Sequence, residues 1–104
     1  MKFPGGGNMQ NMMKQAQAMQ QRLQEEIAAI RVEATSGGGM VTVGMDGLKN
    51  CTLVKIDPEA AGDPEMLGDM IMAAFNEAAR KVDEQSQKKT QGMLGGLGLP
   101  PGMF

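Results

Sequence analysis

The sequence contains no histidine, no tryptophan and no tyrosine among its 104 residues, and only one cysteine and three phenylalanines. Each absence removes a class of function. Without histidine the chain lacks the side chain best suited to proton transfer near neutral pH, and also the commonest metal ligand. Cys51 has neither an imidazole to activate it nor a second cysteine to pair with, so it reads as a small buried residue on a strand-like run. No segment approaches the roughly 18 apolar residues of a membrane span, and the opening MKFPGGGNMQ lacks the apolar run of a signal peptide. A cytoplasmic protein is expected. The glycine triplet Gly37-Gly38-Gly39 is not followed by the Gly-Lys-Ser/Thr of a phosphate-cradling loop, and the adjacent Glu25 and Glu26 point in different directions on a helix. No catalytic constellation is left, so no enzyme, cofactor or metal site is expected.

What the chain has in excess is methionine, twelve of them, with fifteen glycines. Met packs adaptably and specifies shape weakly, so contacts along helices are expected more than one rigid core. At this length the chain is one domain at most, and the small share of surface a monomer of this size can bury favours oligomerisation. The stretch from Val32 to Pro58 holds three strand-like runs separated by Gly37-Gly38-Gly39 and by Asp46-Gly47. Glycine reaches positive φ without a Cβ clash, and Asp-Gly suits a two-residue hairpin turn, so the runs predict a three-stranded antiparallel meander. Val41, Val43 and Met45 alternate with polar or small residues, as do Thr52, Val54 and Ile56 with Leu53 and Lys55, giving each run one apolar face. Such a meander cannot bury both faces alone; the flanking helices must cover one, and a second chain can cover an edge.

Residues 1–7 read as a flexible lead, 8–91 as a single α+β domain, and 92–104 as a mobile Gly/Pro/Leu tail with Leu94, Leu97 and Leu99 as docking points. Asn8 is the expected N-cap of a first helix, whose stripe of Met9, Met12, Met13, Ala16, Met19, Leu23, Ile27 and Ile30 ends near Arg31. About 23 residues give roughly 35 Å, more than such a meander covers, so its first half should project. That stripe reads first as a packing face against the second helix or a partner helix; an adaptable groove for client peptides is the sharper alternative, and a coiled coil whose heptads Glu26 interrupts has some support. Asp63-Pro64-Glu65 reads as the start of a second helix: Asp as N-cap, Pro at the first helical position, and a carboxylate in the first turn. Its stripe runs through Met66, Leu67, Met70, Ile71, Ala74, Phe75, Ala78 and Val82, and Gly92 is its expected end.

The formal net charge of −2 argues against a polyanionic partner until it is resolved along the chain. Lys2, Lys14, Arg22 and Arg31 outnumber Glu25 and Glu26 up to residue 31; from 77 onward Arg80, Lys81, Lys88 and Lys89 outnumber Glu77, Asp83 and Glu84. The segment between carries seven carboxylates against Lys49 and Lys55. Any polyanion should therefore be held by the helical flanks, although four cations on each flank are also ordinary for solvated helices. If the helices pair antiparallel, their free ends share one tip bearing Lys14, Lys88 and Lys89, with Arg80 and Lys81 one to two turns below.

The runs NMMKQAQAMQQRLQEE, VEATSGGGMVTVGMDG, IDPEAAGDPEMLGDMIMAAFNEAARK and GLGLPPGMF, in that order and over almost the whole chain, closely resemble the YbaB/EbfC family of bacterial nucleoid-associated proteins. In the second helix the resemblance rests on Asp63, Glu65, Met66, Leu67, Asp69, Ile71, Ala74, Asn76 and Ala78; Gly68 departs from it, where many members carry a larger residue. The resemblance implies an α-β-β-β-α protomer, a tweezer-like homodimer, and binding of double-stranded DNA in the nucleoid with roles in its organisation and in gene regulation. On that basis Lys14, Arg22, Arg80, Lys81, Lys88 and Lys89 are the expected DNA contacts, and Val41, Val43, Met45, Leu53 and Val54 the expected dimer contact. The positive dipole end of the first helix, directed outward, would add amide groups for phosphate. The alternative is a dimeric protein-interaction adaptor or chaperone that uses the Met-rich helical face.

Overall fold

Alternation along two neighbouring strands decides where the core lies. In a computed structural model of the chain, which describes residues 5–95, β1 (Arg31–Ser36) and β2 (Val41–Asp46) pair antiparallel, with Val32 opposite Met45 and Ala34 opposite Val43. Directly opposed residues share a face. Val32, Ala34, Val41, Val43 and Met45 therefore form one apolar surface, and all are buried. That surface is covered by α2 (Pro64–Gly95), which lays Ala74, Ala78 and Val82 against it. β3 (Cys51–Ile56) pairs antiparallel with β2, giving the order β1-β2-β3. With α1 (Gly5–Ala28) ahead of the sheet, the expected α-β-β-β-α order and three-stranded meander are what the chain forms. Among the described residues no helix is long and apolar enough to cross a membrane.

α2 covers β1 and β2 and leaves β3 bare. Val54 and Ile56, opposite Val43 and Val41, face the same side as the core yet are 48% and 40% exposed. Cys51 is exposed as well, a correction to its reading as a buried residue, because an edge strand beyond the helix has nothing to bury it. The alternation expected for this run also breaks. A bulge between Gly44 and Met45 sets Cys51, not Thr52, opposite Met45. Thr52 and Leu53 then crowd Gly44 together: a Cβ there would lie 3.0 Å from Leu53 Cβ and 3.1 Å from Thr52 Oγ1. Two residues facing one is the signature of a bulge, and glycine makes room for it.

The two turns differ in kind. Gly37, Gly38 and Gly39 all have positive φ, as the triplet led one to expect, and a Cβ on Gly37 would meet Met70 Sδ at 2.1 Å. Ser36 Oγ donates to the Met70 carbonyl at 2.6 Å and fastens this corner to α2. The second turn is not the expected two-residue Asp-Gly type. It is a four-residue loop, 47–50, in which Lys49 rather than Gly47 takes positive φ, and Asp46 Oδ1 accepts from the amides of Leu48 and Asn50, both at 2.9 Å. Gly47 is needed for proximity instead: a Cβ there would fall 1.6 Å from the Ile27 carbonyl oxygen.

The helix ends also depart from the pattern. α1 starts at Gly5 rather than Met9 and stops at Ala28 rather than near Arg31. Glycines can enter a helix at a cost of about 1 kcal/mol each relative to alanine, and the stop follows from Ile30 and Val32 being drawn into the core. Arg31 Nη1 donates to the carbonyls of Ala28 and Ile30, both at 2.8 Å, closing the helix end. α2 begins as expected, with Asp63 Oδ1 accepting from the Met66 amide at 3.1 Å, but continues through Gly92 to Gly95. Residues 1–4 of the expected 1–7 lead and the tail from 96 onward, with Leu97 and Leu99, lie outside the described residues.

Candidate nucleic-acid interface

The cations of the helical flanks are where a polyanion would be held, and the packing of α1 on α2 determines which of them meet. α1 touches α2 sparsely and toward the end remote from Pro64. There Met19, Arg22 and Glu26 of α1 and Lys89, Gly92 and Met93 of α2 line one shallow groove of about 500 Å³. The helices thus run antiparallel, and Arg22 and Lys89, 67 residues apart in sequence, share a site. Lys14 lies eight residues outboard of Arg22, about 12 Å along α1, and Arg80 nine residues inboard of Lys89, about 13 Å along α2. Lys88 is exposed beside Lys89, turned about 100° around the helix. The expected single tip is therefore a stepped row of cations some two to three turns apart.

Two of the expected DNA contacts are already engaged. Arg80 is held between Glu77 and Glu84, three residues before it and four after, with Nε donating to Glu77 Oε2 at 3.0 Å and the terminal nitrogens to both carboxylates. Those hydrogen bonds, chiefly the one with Glu77, raise the guanidinium pKa further and lower that of Glu77. The trio carries a net −1. Lys81 donates from Nζ to the backbone carbonyl of Glu33 at 2.8 Å, tying α2 to β1. Lys49, not among the expected contacts, pairs with Asp83 at 2.8 Å. Lys14, Arg22, Lys88 and Lys89 make no ion pair among the described residues.

The expected dimer contact divides in two. Val41, Val43 and Met45 are fully buried within the protomer beneath α2, so a second chain cannot touch them without displacing that helix. Leu53 and Val54 lie on β3, on opposite faces of the sheet, and both are reachable. A further apolar surface lies on α1. Met9, Met12 and Met13 are 67%, 68% and 60% exposed, and Met12, Ala16, Met19 and Leu23 form with Met93 the wall of a groove of about 380 Å³, edged by Gln15 and Gln20. Among the described residues no group of three or more Cys, Asp or Glu is arranged to hold a metal ion.

This architecture has counterparts. A crystal structure of an uncharacterised protein from Helicobacter pylori superposes with a TM-score of 0.67 at 29% identity, covering 90% of this chain and 98% of that one. A nucleoid-associated protein of Xanthomonas axonopodis pv. citri is 48% identical over 100 residues, spanning 93% of this chain and 94% of its own length. One of Acidobacterium capsulatum is 50% identical over 103 residues, spanning 92% and 95%. The model of the YbaB/EbfC DNA-binding family matches residues 5–97. With the family pattern running from the first turn of α1 past the end of α2 and relatives near half identity over nearly their whole length, the chain belongs to the YbaB/EbfC DNA-binding family.

Proposed function

We propose that the protein binds double-stranded DNA as a homodimer and takes part in organising the nucleoid and regulating genes there, within the cytoplasm. The observation that carries this reading is the division among its cations. Among the described residues Arg80 and Lys49 are matched by carboxylates, whereas Lys14, Arg22, Lys88 and Lys89, spread along the free ends of the two helices, make no ion pair; nor do Arg31, Lys55 and Lys81 nearer the sheet. Asp57, Glu59, Asp63, Glu65 and Asp69 are all exposed around the start of α2, the opposite end of that helix. A duplex is attracted to one end of such a protomer and repelled from the other. The unmatched cations supply phosphate contacts; Arg80 adds little because two carboxylates offset it, and Lys81 contributes mainly by holding β1. Binding by so few cations is weak and largely indifferent to sequence.

Fluorescence anisotropy on a short duplex, titrated at several salt concentrations, tests this. With four phosphate contacts per protomer, log K should fall with log salt at a slope of roughly −3 to −4 per protomer. Replacing Lys88 and Lys89 together by Glu should abolish binding with the oligomeric mass unchanged. A flat salt response, or full binding by the double variant, defeats the electrostatic account. The exposed Met9, Met12 and Met13 favour a second reading as a protein-interaction adaptor or chaperone. A stoichiometric protein partner together with no DNA binding at low salt would favour it.

A further inference from the structure

The groove between α1 and the last turns of α2 is apolar and open, and the chain itself leaves α2 beside it. Met93 forms part of its wall, and only Leu94 and Gly95 separate Met93 from residues 96–104. We propose that this segment, GLGLPPGMF, continues outward along α1 and occupies the groove.

Reach, chemistry and direction agree on this occupant. From Leu23 to Met12 the groove follows eleven residues of α1, about 16 Å. A nine-residue stretch in fully extended polyproline II form would span about 28 Å, enough to cover the whole length from where α2 ends. It carries no charged side chain, and Leu97, Leu99, Met103 and Phe104 supply apolar groups to set against Met12, Met19 and Leu23. Adaptable methionines suit a segment with irregular spacing of its side chains. Gln15 and Gln20, at the edges, offer amide donors and acceptors to an extended backbone that has no partner strand. Docked there, the segment joins the outer half of α1 to α2 and so fixes the distance between the cations of the two helices. It does this whether or not those cations bind DNA.

The methionines are built-in reporters. The full chain would be labelled at the methionine methyl carbons and compared by NMR with the Leu97→Asp/Leu99→Asp variant. The methyl signals of Met12, Met19 and Met93 should move, and that of Met45, sealed under α2, should stay, which certifies an intact fold. Adding unlabelled peptide of residues 96–104 to a chain ending at Gly95 should return the Met12 and Met19 signals toward their positions in the full chain. Met12 and Met19 signals unmoved in the variant would overturn the proposal. So would signals that depend on protein concentration and ignore the variant, since these would assign the groove to a second copy.

Discussion

Two glycines carry different loads although the sequence presents them alike. Gly38 sits at φ +68 with nothing within 4 Å of a built Cβ, so alanine there meets only the left-handed backbone penalty. Gly38→Ala should cost about 1 kcal/mol. Gly47 has ordinary φ, but its Cβ would sit 1.6 Å from the Ile27 carbonyl oxygen and 3.2 Å from Ile30 Cβ, so alanine must push α1 off the hairpin. Gly47→Ala should cost at least about 3 kcal/mol, beyond the ordinary range for a point change. Urea unfolding of the two variants measures the difference, and equal losses would contradict the close approach. Both separators were readable as turns from Gly-Gly-Gly and Asp-Gly, because turn chemistry is local. The close approach of Gly47 to α1 was not, since it depends on a helix 20 residues earlier in the chain.

Asp46 gives the same loop a pH response. The Asn50 backbone amide, more than any other group, lowers its carboxyl pKa, with the Asn50 side chain and the Leu48 amide assisting. A carboxylate depressed on folding stabilises the fold above its unfolded value, near 3.8, and loses that contribution as pH falls through the lower folded value. Thermal unfolding of Asp46→Ala should therefore lie below that of the parent at pH 6, with the gap narrowing as pH falls below about 3.8. A constant offset at all pH values would remove the charge from the explanation.

At the scale of elements, α2 was legible where signals are local. Asp63-Pro64-Glu65 announced its start, and the spacing of Ala74, Ala78 and Val82 announced its buried face. Its end was not legible: Gly92 reads as a stop, yet the helix continues because Met93 and Lys89 find α1 beside them. Glu77, Arg80 and Glu84 stood at spacings of three and four, and that pattern could have shown that Arg80 was already neutralised. No such signal exists for Lys81, whose acceptor lies 48 positions away. Two substitutions test the first turns of α2. Asp63→Ala removes the cap and should cost about 1 kcal/mol. Gly68→Ala, exposed and with nothing near a built Cβ, should stabilise by up to about 1 kcal/mol. Denaturant midpoints moving in opposite directions would confirm both.

At the scale of the whole molecule, the unfinished surface is β3. A sheet whose third strand has exposed apolar residues on the helix side and a free outer edge is poised for a partner chain, and such edges are normally blunted or covered. Val54 and Ile56 are the residues left out when α2 covers only two strands. Alternation marks Val41, Val43 and Met45 as an apolar face without saying whether a helix or a second chain covers it. The structure gives those three to α2, which shifts the proposed dimer contact to Val54, Ile56 and the β3 edge. Val54→Glu with Ile56→Glu should leave the protomer folded, since neither side chain belongs to the sealed core, and should convert a dimer to a monomer by light scattering. DNA affinity should fall with it, because two linked sets of cations bind far more tightly than one at the same concentration. A folded variant that stays dimeric would place the contact elsewhere, and one that is monomeric yet binds DNA as tightly as the parent would separate DNA binding from assembly.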